Sequence, residues 1–385
     1  MRFVIAPDSF KESMSALRAA EAIARGLRKG LPGAECDLIP MADGGEGTAE
    51  CLLAARGGKR IACRVCGPLG KPQDAWLLWF PESGTALVEV AMACGLALMD
   101  RDARDPMTAS SYGVGQMIEA ALSLGCRELL LALGGTGTND GGLGMLQALG
   151  ADIADRRGRS VGRGGAALRE VASVYLDPAR RKLENVRLTV LCDVRNPLLG
   201  PTGATYVFGP QKGASGDALP LLEEGMRAYA SAVERAAGKS LSGLAGAGAA
   251  GGIGFALFTL GDARFESGSE YLMRAAGLEE RIQACDCVIT GEGSVDAQSL
   301  NGKAPVEVAR LARKYGKPAV VFAGRIAGDP DAFYKEGITA LLGIVPSLGP
   351  LEETLAKGEE NLAVAAENAA RLWSASAALE RAPEG

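Results

Sequence analysis

The chain opens on "RFVIAP", a continuous apolar run of the kind shown by a strand covered on both faces. Leu17, Ala20, Ile23, Ala24, Leu27 and Leu31 then recur at helical spacing until Gly30, Pro32 and Gly33 stop the helix. "AECDLIPM" reads as a second strand. The same alternation returns near the other end: "CDCVIT", a helix from about Pro305 to Tyr315, "PAVVFAG", a short helix, "ALLGIVP" and a long alanine-rich final helix. Strands spaced by helices predict parallel pairing.

The middle of the chain follows another pattern. "RIACRVCGPLGKPQDAWLLWF" predicts two strands around a Gly-Pro and Gly-Lys-Pro turn, "TALVEVA" another, and "RELLLAL" and "RLTVLCDV" follow with helices between them. The expected architecture is therefore α/β: an open parallel sheet of about five strands assembled from both termini, with a second, mixed α/β domain inserted. The expected boundaries put residues 1–60 and 284–385 in the first domain and 61–283 in the second.

Composition narrows the function. The chain has 385 residues, 48% hydrophobic, enough for one large core or two ordinary ones. Its net charge is −5 and no basic run is interleaved with aromatics, so a nucleic-acid partner has no electrostatic footprint. No span approaches about 18 unbroken apolar residues, which argues against a membrane helix. "MRFVIAPDSF" is broken by Pro7 and Asp8 before a signal segment could form, and the chain reads as cytoplasmic. Nine cysteines in mostly apolar surroundings suit reduced, buried thiols, and Cys63-x-x-Cys66 lacks the second pair a zinc site needs. There is no histidine at all. That excludes a Ser-His-Asp triad, a Cys-His pair and every His-ligated metal, leaving carboxylate, lysine or tyrosine as general base.

The candidate chemistry lies where strands end. "LGGTGTNDGG" (Leu133–Gly142) follows a buried-strand pattern and precedes the helix "LGMLQALG", so its bare amides and the helix start could cradle a phosphate. A sharp strand-to-helix turn that needs glycine for geometry alone is an equal reading. "APDSFKESMSA" brings Asp8, Ser9 and Lys11 to the end of the first strand. "PMADGGEGT" brings Asp43 and Glu46 to the end of the second. "LCDVRNPLLGPTGATYVFGPQKGA" carries Asp193, Asn196 and Lys212, and "ITGEGSVDAQSLNGK" carries Glu292, Asp296 and Lys303. Ligands of open parallel sheets sit at such carboxyl ends. No GxxxxGK[ST] occurs, and the GxGxxG in "GAGAAG" (Gly246–Gly251) follows a helix and loop instead of a strand, so it does not meet the context of a dinucleotide fingerprint.

In these blocks, together with "GAGAAGG", the sequence resembles the bacterial type I glycerate kinases, in family order over nearly the whole chain. Glu12 departs from the glycine usual in that family, and Gly137 from its common alanine. The resemblance implies ATP-dependent phosphorylation of D-glycerate, most simply to 2-phosphoglycerate, with Mg²⁺ arriving on the nucleotide. It also implies a flavodoxin-like domain with a second α/β domain inserted and an active site in the interdomain cleft. A nicotinamide-dependent oxidoreductase of small hydroxy acids and a non-catalytic sugar-acid-binding protein are the alternatives.

On that reading Asp193 is the expected base, with Asp296 second and Lys11 assisting at the transferring phosphate. Asp8, Ser9, Lys11, Asp43, Asn196 and Lys303 are expected to hold the acid. Gly44, Gly45, Gly134, Gly135, Thr136, Thr138, Asn139, Asp140, Gly291 and Glu292 are expected to line the nucleotide phosphates. The metal ligands stay unassigned, and the sequence leaves open whether the chain acts alone or as a homodimer.

Overall fold

The computed structural model describes residues 1–297 and 299–380. In chain order its strands are β1 (Arg2–Ile5), β2 (Glu35–Leu38), β3 (Lys59–Cys66), β4 (Pro72–Phe80), β5 (Thr85–Glu89), β6 (Glu128–Ala132), β7 (Asp152–Ala154), β8 (Ser173–Tyr175), β9 (Arg187–Leu191), β10 (Arg264–Glu266), β11 (Cys287–Val295), β12 (Ala319–Ile326) and β13 (Ala340–Gly343). They fall into two compact units. The first comprises Met1–Asp43, Glu50–Gly57 and Ser269–Gly385, and the second Gly44–Ala49 and Gly58–Gly268.

The first unit contains a five-stranded sheet in the order β13-β12-β11-β1-β2. Every pairing in it is parallel. Counted along the unit's own strands this is the order 2-1-3-4-5 of the flavodoxin-like folds. Alternation along β1 explains why the sheet is covered twice. Phe3 and Ile5 join a cluster with Ile23, Leu27, Leu362 and Ala366. Val4 and Ala6 turn the other way, to Val308, Ala312, Leu272 and Leu278. The helix Ala16–Gly30 begins where Ser15 Oγ accepts the Arg18 amide at 3.4 Å. It packs closely on the long final helix Gly358–Glu380, and a Cβ at Gly26 would stand 2.1 Å from the Ala363 carbonyl oxygen.

Residues 269–283 depart from the expected boundary. The helices Gly268–Ala275 and Leu278–Gln283 place Leu272, Leu278 and Ile282 in the core beside Val4 and Val288 of the first unit. Their apolar spacing is that of any amphipathic helix and does not say which sheet it covers. Gly44–Ala49, likewise, belongs to the second unit.

The second unit is built on a six-stranded sheet, β10-β9-β6-β5-β4-β3, with the small pair β7-β8 beside it in the chain. Strands β3, β4 and β5 pair antiparallel, and β5, β6, β9 and β10 parallel. The central strands β6 and β9 are buried along almost their whole length, as their unbroken apolar runs require. All nine cysteines are free thiols. Among the described residues no helix is long and apolar enough to cross a membrane.

Candidate active site

In the first unit, a cavity of about 330 Å³ opens at the carboxyl ends of β1, β11 and β12, and all its lining residues belong to that unit. Asp8, Ser9, Lys11, Asp43, Glu292 and Lys303, taken from three distant stretches of sequence, line it together. The backbone explains the convergence. Asp8 N–H donates to the Gly291 carbonyl at 2.8 Å, extending the β1–β11 ladder past its last register pair, and Met41 N–H reaches the Pro7 carbonyl at 2.8 Å on the other side. The ends of β1, β2 and β11 are thereby held side by side.

The charges in this cavity are arranged unequally. Glu292 has both carboxylate oxygens engaged: Ser299 Oγ donates to Oε1 at 2.6 Å and Lys303 Nζ to Oε2 at 3.0 Å. Burial raises its carboxyl above the ordinary value, and those two donors oppose the rise. Asp8 is 7% exposed, and its Oδ1 accepts the Ser9 amide at 2.6 Å. Burial first, and then the Asp43 carboxylate, push the Asp8 carboxyl up to about 7, against the Ser9 amide and Lys11, with Glu292 adding to the rise. Lys303 sits at the N-cap position of the helix Ala304–Lys314, with a proline in its first turn. Arg325, near the end of β12, lines the same cavity and is exposed. It is absent from the expected site residues, although an arginine two residues beyond a buried strand core is the same signal that marks Lys11.

Asp296 lies just beyond the end of β11, where its N–H donates to Ser299 Oγ at 3.2 Å, and it does not line the cavity. Gly291 is part of the β11 ladder, opposite Phe322 of β12, and a Cβ there would meet the Phe322 carbonyl at 2.4 Å. Its glycine is required by that close approach.

The glycine-rich turns lie in the second unit. Gly134 N–H donates to the Gly44 carbonyl at 3.2 Å, and a Cβ on Gly134 would stand 2.3 Å from Gly45 Cα, so the two bare turns touch through backbone. Gly135 is exposed beside them and Thr136 is buried. Glu89, at the end of β5, accepts the amides of Gly47 and Ala49 at 3.0 and 3.2 Å. Glu89 is likewise absent from the expected site residues, and its signal is a lone carboxylate inside the apolar run "TALVEVA".

Beyond Thr136 the expectation of a phosphate cradle needs correction. Thr138, Asn139 and Asp140 are fully buried. Asp140 accepts from the Ser111 amide and hydroxyl at 2.8 and 2.9 Å, and from the amides of Gly142 and Gly144 at 3.2 and 3.3 Å. The helix start that was to receive a phosphate is thus filled by the chain's own carboxylate. Asn139 Nδ2 donates to Thr205 Oγ1 at 3.1 Å. Lys212, itself buried, donates to the Thr138 carbonyl at 2.7 Å, and burial lowers its ammonium to about 8 against the pull of Cys94 and Asp140. The "GAGAAG" loop packs onto the same turn. Gly251 has φ +64°, and a Cβ on it would lie 1.9 Å from the Thr138 carbonyl oxygen. Both glycine runs serve close backbone packing here.

Asp193 leaves β9 exposed, and its Oδ1 accepts the Gly268 amide at 3.2 Å. Asn196 Nδ2 donates to the Thr202 carbonyl at 2.8 Å, which closes its own turn. Among the described residues no group of three or more carboxylates or thiols could hold a metal ion.

A model of the glycerate kinase family matches residues 3–374. The glycerate kinase of Bacillus subtilis is 45% identical over 360 residues, covering 94% of each chain. The glycerate 2-kinase of Escherichia coli is 41% identical over 370 residues, 96% of this chain and 97% of that protein. A crystal structure from Salmonella typhimurium LT2 that bears the glycerate kinase 2 name superposes with a TM-score of 0.82 at 38% identity, covering 98% of this chain and 99% of that one.

Proposed function

Because the chain belongs to the glycerate kinase family, we propose that it transfers the γ-phosphoryl group of ATP to D-glycerate, at the 2-hydroxyl, giving 2-phosphoglycerate and ADP. The observation that carries this reading is the cavity at the strand ends of the first unit, where three cationic side chains, Lys11, Lys303 and Arg325, surround buried carboxylates. A three-carbon acid with one carboxylate and two hydroxyls offers little surface for recognition, so charge and hydrogen bonding must orient it.

Lys11 and Arg325 are the residues we assign to the acid's carboxylate. Arg325 suits a planar, two-point contact, and Lys11 acts as a mobile point charge. Lys303 is committed to Glu292 and acts through it, holding the β11 end in place. Ser9 and Asp43 are assigned to the acid's hydroxyls. For the nucleotide, the paired turns of Gly44, Gly45, Gly134 and Gly135 are assigned the phosphates, with Gly135 the exposed member and Thr136 beside it. Thr138, Asn139 and Asp140 are assigned the scaffold beneath. Phosphoryl transfer needs in-line positioning and neutralised charge more than covalent help, so a chain without histidine is no worse equipped for it. Mg²⁺ bound with ATP would supply part of that charge neutralisation. The described residues do not build a carboxylate cage for it, and none is assigned as its ligand.

Incubation of the purified protein with D-glycerate and MgATP, read by phosphorus NMR, tests the whole reading. The expected product carries its phosphate on the secondary carbon. A phosphate on the primary carbon corrects the regiochemistry, and no ADP formation over the buffer control defeats the proposal.

A further inference from the structure

We propose that Asp8 is the catalytic carboxylate that receives the proton of the acceptor hydroxyl, an inference that rests on the glycerate reading above. Glu292 has both oxygens occupied, by Ser299 and Lys303. Asp296 does not reach the cavity. Asp193 accepts the Gly268 amide and does not line the cavity. Asp8 lines the cavity with its Oδ1 fixed by the Ser9 amide at 2.6 Å, while among the described residues Oδ2 accepts no hydrogen bond. One oxygen sets the orientation of the group, and the other is left for a substrate proton.

The surroundings suit that task. Asp43 and Glu292 face Asp8 with negative charge from the ends of β2 and β11, and Lys11 faces it with positive charge from its own loop. Lys303 partly neutralises Glu292, and Arg325 comes from the end of β12. Burial and the neighbouring carboxylates make Asp8 a stronger base than a solvated aspartate, with a carboxyl at about 7. A base poised near the working pH combines a useful ionised fraction with a real affinity for the proton. In the transfer, the hydroxyl oxygen forms its bond to the γ-phosphorus as the bond from that phosphorus to the bridging oxygen breaks. ADP leaves with the electron pair, the hydroxyl proton passes to Asp8 Oδ2, and Asp8 later releases it to solvent. Glycerate and ATP thus give phosphoglycerate, ADP and one proton.

The test is steady-state kinetics of the full-length protein across about pH 5.5 to 8.5 with D-glycerate and MgATP. Wild type is expected to gain kcat/KM through an inflection near 7. Asp8→Asn, checked for folding by circular dichroism, is expected to lose about 10²- to 10⁴-fold in kcat with a glycerate KM within a few-fold, and to lose the inflection. Loss of the inflection separates Asp8 from titration of the nucleotide's terminal phosphate. Asp8→Glu is expected to recover part of kcat with a displaced inflection. A kcat within five-fold of wild type in Asp8→Asn, or a raised KM at unchanged kcat, overturns the assignment. A flat wild-type profile does so without any variant. Wild type that turns over no glycerate defeats the kinase reading itself, and the base assignment with it.

Discussion

Asp8 shows how much a single residue owes to its surroundings. As a letter it is one of many aspartates after a strand. Buried beside Asp43 and Glu292, its carboxyl is raised to about 7. Between roughly pH 4 and 7 the folded state keeps a proton that the unfolded chain has released, so Asp8 lowers stability as pH rises through that window and adds no further loss above it. Asp8→Asn should therefore match wild type in thermal stability near pH 4 and exceed it at pH 8, by a few kcal/mol at most. Melting curves of both proteins across that range check it, and a gap that does not grow with pH contradicts the burial argument. Glu12 tells a related story. Where the resembled family usually has glycine, this chain holds glutamate at φ +64°. A left-handed conformation in a residue with a side chain costs about 1–2 kcal/mol, which glycine avoids.

At the scale of an element, the turn from β6 into the helix Leu143–Ala148 decides between the two meanings that glycine-rich sequence allows. Asp140 binds the Gly142 and Gly144 amides and the Ser111 amide and hydroxyl. Burial raises its carboxyl, and these four donors oppose the rise. Asp140→Ala would leave those donors buried and unanswered, at a cost of about 3 kcal/mol. Urea unfolding should show a lower midpoint, with activity per folded molecule reduced only as far as the turn shifts. An unchanged midpoint would mean the cap carries no weight. Sequence could not separate cap from ligand here, because an aspartate before a glycine pair fits both. Burial separates them. The helix starts and strand ends, by contrast, were legible: "RFVIAP", the Ala16–Gly30 helix and the Pro305 helix start all appear within a residue or two of where periodicity and capping put them.

At the scale of the molecule, the two units differ in how far apart in sequence their parts lie. The first sheet joins β1 and β2 to β11, so Phe3 lies beside Cys287 in register. The second unit runs almost continuously from Gly58 to Gly268 and owns its whole six-stranded sheet and a core of its own. A fragment of residues 44–268 should thus fold alone, with a cooperative urea transition by circular dichroism. A fragment of residues 1–268 should gain no ordered first unit, since β1 would lack β11 and the Val4 face would lack its helical cover. A non-cooperative transition in 44–268 would show that this core is insufficient by itself.

What the sequence determined by itself is local and periodic: which stretches are strand or helix, where each stops, and that charged residues follow the strands. The absence of histidine also settled which bases were available. What tertiary structure decided is which of those residues share one cavity. Asp8, Asp43, Glu292, Lys303 and Arg325 meet there, while Asp193 and Asp140, equal candidates as letters, are held by backbone amides elsewhere. The reason is physical. Periodicity acts over neighbours a few residues apart, whereas desolvation and Coulomb interaction depend on distance in space, and here that distance joins residues nearly three hundred positions apart.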